Sequence, residues 1–193
     1  MAAAIALLAL GSIVAMVKTS MLAGGLHGVA STAWCAAGYF STLTALIVAV
    51  DLGSVAAGWA IPARRAAGLV VWTAMIAAVY HLILAPFWQA PGVTNAADVA
   101  LHSALPALVL LWWALYAPKR GLRHAMAFGW LVWPVTYATY VLVTGYWPYP
   151  FADPAALGPG RLSVNVALLC AGVLGLGLLV TVAARRLQSR RPS

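Results

Sequence analysis

Asp98 and His102 stand four residues apart in an apolar stretch, a spacing that puts both on one face of a helix. A carboxylate so placed can fix the imidazole tautomer and raise its basicity, as in an acid–histidine–nucleophile relay. A capping Asp beside a core histidine bonded to a carbonyl has the same spacing, so the pair alone leaves both readings open. Hydroxyls that an imidazole can activate are supplied by Ser41, Thr42 and Thr44. Such groups in membrane helices commonly bond back to their own helix or join neighbours, so it is the histidines that give them chemical meaning. Tyr80, His81 and Asn165 are candidate donors to a developing oxyanion. Thr44, Tyr137 and Tyr140 are candidate substrate contacts, and Arg161 is a candidate partner for a substrate carboxylate.

Other chemistries lack their residues. There is no GxSxG, HExxH, P-loop or GxGxxG run. The only carboxylates are Asp51, Asp98 and Asp153, too few for a hard-cation site. Cys35 and Cys170 lie singly in apolar segments without metal-ligand spacing. No metal and no cofactor is therefore expected.

The elements that must position these residues follow from composition. Of 193 residues, 64% are hydrophobic and 7% charged, against about 25% charged in soluble domains. Lipid is the solvent that accommodates such a chain. Six apolar runs of near-spanning length fall at about 2–22, 31–55, 67–86, 97–116, 124–144 and 162–184. The expected fold is an all-α, polytopic membrane bundle of six transmembrane helices forming one domain over 1–193. Lys18 interrupts the first run and is expected to snorkel to the surface.

Net charge is +8, yet the basic residues do not form a nucleic-acid face. Nine of the 11 fall in three places: Arg64 and Arg65; Lys119, Arg120 and Arg123; and Arg185, Arg186, Arg190 and Arg191. Those are the gaps after runs two and four and the C-terminal tail. They share one side of a membrane if the chain crosses six times with both termini in the cytoplasm. Trp34, Trp59, Trp88 and Trp147 near span ends fit interfacial aromatics. His27 and His124 are expected to be solvated or interfacial, and Asp51 to meet a helix dipole or a hydroxyl.

This topology gives each polar residue a depth. Tyr39, Ser41, Thr42 and Thr44 of run two, Tyr80 and His81 of run three, Asp98 and His102 of run four, Tyr137 and Tyr140 of run five and Asn165 of run six all fall in the outer half. Pro106 frees the carbonyl of His102 and Pro134 that of Trp130, and neighbouring groups must satisfy both. The segment 145–161 is rich in proline, glycine and aromatics and is expected to form an ordered cap.

Several of these runs resemble one family. Tyr39-Phe40-Ser41-Thr42-Leu43-Thr44 is similar to its helix-two element, a Tyr-x-Thr followed by polar positions. His102-Ser-Ala-Leu-Pro106 is similar to its helix-four histidine, and Gly145-Tyr-Trp-Pro-Tyr-Pro-Phe151 with Leu157-Gly-Pro-Gly-Arg161 to the loop before its last helix. The family is that of the androgen-induced gene protein and the androgen-dependent tissue-factor-pathway-inhibitor regulating protein. The resemblance spans residues 39–161. It implies a six-helix intramembrane hydrolase of fatty-acid esters of hydroxy fatty acids, with a threonine nucleophile and a histidine. Carried over, the nucleophile position is Ser41, with Thr42 the neighbouring alternative, and the histidine is His102. Where bacterial relatives often carry a polar residue this chain has Ala45.

The leading expectation is thus a hydrolase of lipid esters in a bacterial inner membrane, with a membrane lipid as substrate and no nucleic-acid partner. A non-catalytic lipid-binding protein is the second reading. A b-type haem carrier with His81 and His102 as axial ligands is the third.

Overall fold

The computed structural model describes residues 1–22, 29–87 and 92–189, and the described residues are helical with no strand. His27, Trp88, Arg190 and Arg191 lie outside them. In chain order the helices are α1 (Ala2–Leu22), α2 (Val29–Ala37), α3 (Phe40–Ala56), α4 (Ala63–Val79), α5 (Gly92–Val99), α6 (Leu105–Leu115), α7 (Met126–Gly129), α8 (Val132–Thr144) and α9 (Pro154–Ser189). Short wide-turn π segments extend α4 (Tyr80–Leu84) and join α5 to α6 (Ala100–Ala104). α9 is broken at Gly158, whose φ of 70° is left-handed, so its long straight part begins at Pro159.

Among the described residues four stretches are long and apolar enough to cross a membrane: Ala63–Leu84, Asn95–Leu115, Met126–Thr144 and Pro154–Ser189. Their side chains are apolar nearly all round, and Leu82, Val143, Leu168 and Leu179 turn most of their surface outward. In water that belt would be an aggregating patch; in a bilayer it is lipid contact. The inward residues, among them Ile5, Leu52, Leu69, Val71, Leu105, Val109 and Trp113, form one core that joins α1, α3, α4 and α6.

The single crossing expected at 31–55 is instead two helices, α2 and α3, meeting at 94°. The bend is made by Gly38 and Tyr39. A Cβ on Gly38 would overlap the Tyr146 ring, so only glycine lets the cap come this close. The backbone groups freed by the bend are satisfied by tyrosines: Tyr137 donates its hydroxyl to the Gly38 carbonyl at 2.7 Å, and the Phe40 N–H donates to the Tyr149 hydroxyl at 3.1 Å. At the other end of the family of spans, the apolar part of α1, Ala2–Lys18, is shorter than a full crossing.

The prolines act as their chemistry requires. Pro134 sits in the first turn of α8, where its missing N–H costs little. The Trp130 carbonyl that it leaves free accepts from Trp72 Nε1 at 2.9 Å. Both π segments directly precede an X-Pro step, Ala85-Pro86 and Leu105-Pro106. There the backbone bonds reach back five residues, Ala85 N–H to Tyr80 and Leu105 N–H to Ala100.

One end of the bundle gathers basic residues. Arg65 pairs with Asp51 at 2.6 Å, so Asp51 meets a guanidinium rather than a helix dipole or hydroxyl. Lys119 is buried and donates to the carbonyls of Trp113 and Ala117, closing the C-terminal end of α6. His124 is not simply solvated: its Nδ1 lies 2.7 Å from Thr181 Oγ1 on α9.

Candidate active site

At the opposite end the N-terminus of α3, the last turns of α4, the π segments, the length of α8, the start of α9 and the cap loop 145–153 surround an apolar cavity of about 290 Å³. Ser41 and His102 both line it, on different helices. Tyr137, Trp147, Tyr149 and Cys170 bring most of the remaining polar atoms, and no Lys, Arg, Asp or Glu lines the wall. Val135 and Leu142 of α8 and Val166 of α9 line the cavity and are also exposed, so it opens sideways between these helices.

His102 meets Asp98 across the four-residue spacing, through both its carboxylate and its carbonyl. Its Nδ1 lies 2.9 Å from Asp98 Oδ1 and 3.0 Å from the Asp98 carbonyl. Both are acceptors, so Nδ1 carries the proton and Nε2 is left as the basic nitrogen. Both side chains are buried. Tyr80 completes the arrangement: its hydroxyl donates to Asp98 Oδ2, and its ring stacks on the imidazole at 4.2 Å between centroids. The two π segments lie side by side, since His81 Nε2 also meets Ser103 Oγ at 3.0 Å.

Ser41 is the second residue of α3, a position set by the bend at Gly38. Its hydroxyl lies close to the Tyr149 phenol. Among the described residues no hydrogen bond joins it to His102. Thr42 is buried, does not line the cavity, and its Oγ1 has no hydrogen-bond partner among the described residues. Thr44 is fully buried and accepts from Trp133 Nε1 at 2.9 Å, so it braces α8 rather than facing a substrate.

The expected oxyanion donors are placed elsewhere. Tyr80 is committed to Asp98. His81 is exposed and does not line the cavity, and Tyr80 packs against both its ring and that of His102. Asn165 Nδ2 donates to the Phe151 carbonyl at 2.8 Å and pins the cap to α9. With exposed Arg161 it borders a separate shallow hollow. Tyr137 lines the cavity, whereas Tyr140 packs beside it without doing so. Trp147, expected at an interface, is a cavity wall. Tyr149 lies in the segment expected to form an ordered cap, but nothing in the sequence analysis singles it out as a site residue. Its signal was the Trp-Pro-Tyr-Pro context, in which flanking prolines stiffen the backbone around a single polar ring.

Among the described residues no group of three or more His, Cys, Asp or Glu could hold a metal ion. No protein-family model, curated protein or solved structure matches the chain. The meaning of the site therefore rests on its own geometry.

Proposed function

We propose that the chain is an intramembrane hydrolase of lipid esters, related to the androgen-induced gene protein family, with Ser41 as nucleophile and His102 as base. The observation that carries this reading is the pairing of a hydroxyl and an Asp-oriented imidazole on the wall of one apolar, laterally open cavity. An acyl chain fits such a wall, and the side opening between α8 and α9 leads to the bilayer, where long-chain esters reside. Fatty-acid esters of hydroxy fatty acids are the class that the resemblance suggests.

In the first step Ser41 Oγ bonds the ester carbonyl carbon while its proton passes to His102 Nε2. The C–O bond to the alcohol then breaks, and the Nε2 proton goes to the leaving alkoxide. Water, deprotonated by the same nitrogen, releases the acid from Ser41. Asp98 holds the ring and balances imidazolium charge through Nδ1–H. Among the described residues no hydrogen bond joins Ser41 to His102, so the two must close on each other when substrate binds. Catalytic hydrogen bonds are commonly long before substrate tightens them. That Ser41 and His102 are not hydrogen-bonded among the described residues is what favours the second reading, a lipid-binding protein with no turnover.

The accompanying topology is six crossings with both termini cytoplasmic, α1 and the bent α2–α3 pair each counting once. The gathering of basic residues at one end supports it. A C-terminal reporter active only outside the cytoplasm stays silent on this reading, and an active one refutes it.

The decisive experiment is a four-variant comparison on purified protein with a panel of long-chain esters. Ser41→Ala and His102→Ala are each expected to abolish turnover, with the double variant no worse, because cooperating groups are not additive. Asp98→Asn is expected to be milder. If the wild type hydrolyses no ester, or all four variants match it, the lipid-binding reading replaces the enzyme.

A further inference from the structure

The proposed reaction puts negative charge on the ester carbonyl oxygen beside Ser41, and the donors expected for it are bonded elsewhere. One hydroxyl does lie at that point. Tyr149 lines the same cavity as Ser41 and His102. Its oxygen accepts the Phe40 N–H at 3.1 Å and interacts with the Ser41 hydroxyl. The Phe40 N–H uses one of the oxygen's lone pairs. The phenolic proton remains, and its neighbour at the cavity wall is the Ser41 hydroxyl, the group that the reaction itself consumes. A phenol next to the nucleophile and facing an apolar cavity can turn its O–H to the carbonyl oxygen of a bound ester as Ser41 bonds the carbonyl carbon.

We infer that Tyr149 is the oxyanion donor of the site, its O–H bonding the ester carbonyl oxygen as that oxygen becomes an alkoxide in the tetrahedral intermediate. The inference rests on the ester-hydrolase reading and adds a catalytic residue to it. The proton stays on Tyr149 throughout: the carbonyl π pair moves onto oxygen as Ser41 Oγ bonds carbon, and it returns as the alcohol leaves.

Three features preorganise the group. Pro148 and Pro150 flank Tyr149 and limit its backbone, which is extended at φ −114° and ψ 121°. Its ring stacks on Phe151 at 5.1 Å and meets Tyr39 edge-on at 5.8 Å. The Asn165 bond to the Phe151 carbonyl fastens this turn to α9. Burial pushes the phenol up to about 12, so it is a neutral donor at any working pH. Donors fixed in a water-poor site before the charge develops are worth more than the same groups in water. The N-terminal end of α3 adds favourable potential at the same place.

The test uses full-length protein in detergent with p-nitrophenyl esters of short to long acyl chains. Tyr149→Phe is expected to lower kcat by about 10²–10³-fold with KM little changed, the loss typical of one oxyanion donor. A second variant separates donation from mere support of Phe40. Tyrosine at 149 is replaced by a fluorinated tyrosine, which keeps the oxygen and its size but ionises nearer neutral pH. A phenolate cannot donate, so activity is full below the new pKa and lost as pH rises through it, an alkaline limb that the wild type lacks in that range. If the phenol only accepts from Phe40, ionisation strengthens that bond and no such limb appears. Tyr149→Phe retaining kcat within about tenfold, or a fluorinated protein without the limb, overturns the inference. Where Tyr149→Phe fails to fold, the pH profile alone decides. Wild-type hydrolysis that depends on Ser41 but not on Tyr149 overturns this inference and leaves the hydrolase reading standing; no hydrolysis by the wild type overturns both.

Discussion

Gly38→Ala tests the bend that sets the start of α3. Gly38 is buried, and its φ is not in the left-handed region, so alanine meets no backbone strain there. In free space the change would stabilise by about 0.4–1 kcal/mol, through a less flexible unfolded chain. The space is not free, because the new methyl overlaps the Tyr146 ring. Overpacking of this kind costs about 1–3 kcal/mol. The net expectation is a loss of roughly 1–2 kcal/mol, or about 2–8 °C in melting temperature for a chain this long. Thermal unfolding in detergent measures it. The sharper readout is a double-mutant cycle with Tyr146→Ala, which removes the ring. In that background Gly38→Ala is expected to be neutral or stabilising. An equal cost in both backgrounds refutes the steric account of the bend. Turnover should fall together with stability in the single variant, because moving Tyr146 moves the cap loop that carries Tyr149.

Two further substitutions probe polar groups in the helices. Thr42→Val removes a buried hydroxyl that has no hydrogen-bond partner among the described residues and keeps the shape, so stability should be unchanged or higher and ester turnover should survive; a dead but folded Thr42→Val would make Thr42 the nucleophile. Trp72→Phe strands the Trp130 carbonyl and should cost about 1–3 kcal/mol in unfolding. Much of that loss should vanish when Pro134→Ala supplies a backbone N–H for the same carbonyl, and an undiminished loss would show that Trp72 acts by packing alone.

What could be read before any fold was known is whatever depends on composition or on neighbours within one turn. The helical, membrane-embedded character follows from long apolar runs, since an unpaired backbone cannot cross lipid. The contact of His102 with Asp98 follows from a four-residue spacing, and the free Trp130 carbonyl from Pro134 four residues on. The identity of their third partners does not. Trp72 meets Trp130 across 58 residues, and the Phe40 N–H meets Tyr149 across 109. Tyr80 reaches Asp98 because two π turns, each ahead of a proline, lie side by side. The run 31–55 is apolar enough to read as one straight helix, and only the approach of Tyr146 to Gly38 shows why it bends. That bend decides that Ser41, not Thr42, faces the cavity with His102. Helix periodicity assigns a residue to a face, whereas the packing of distant segments decides what that face meets.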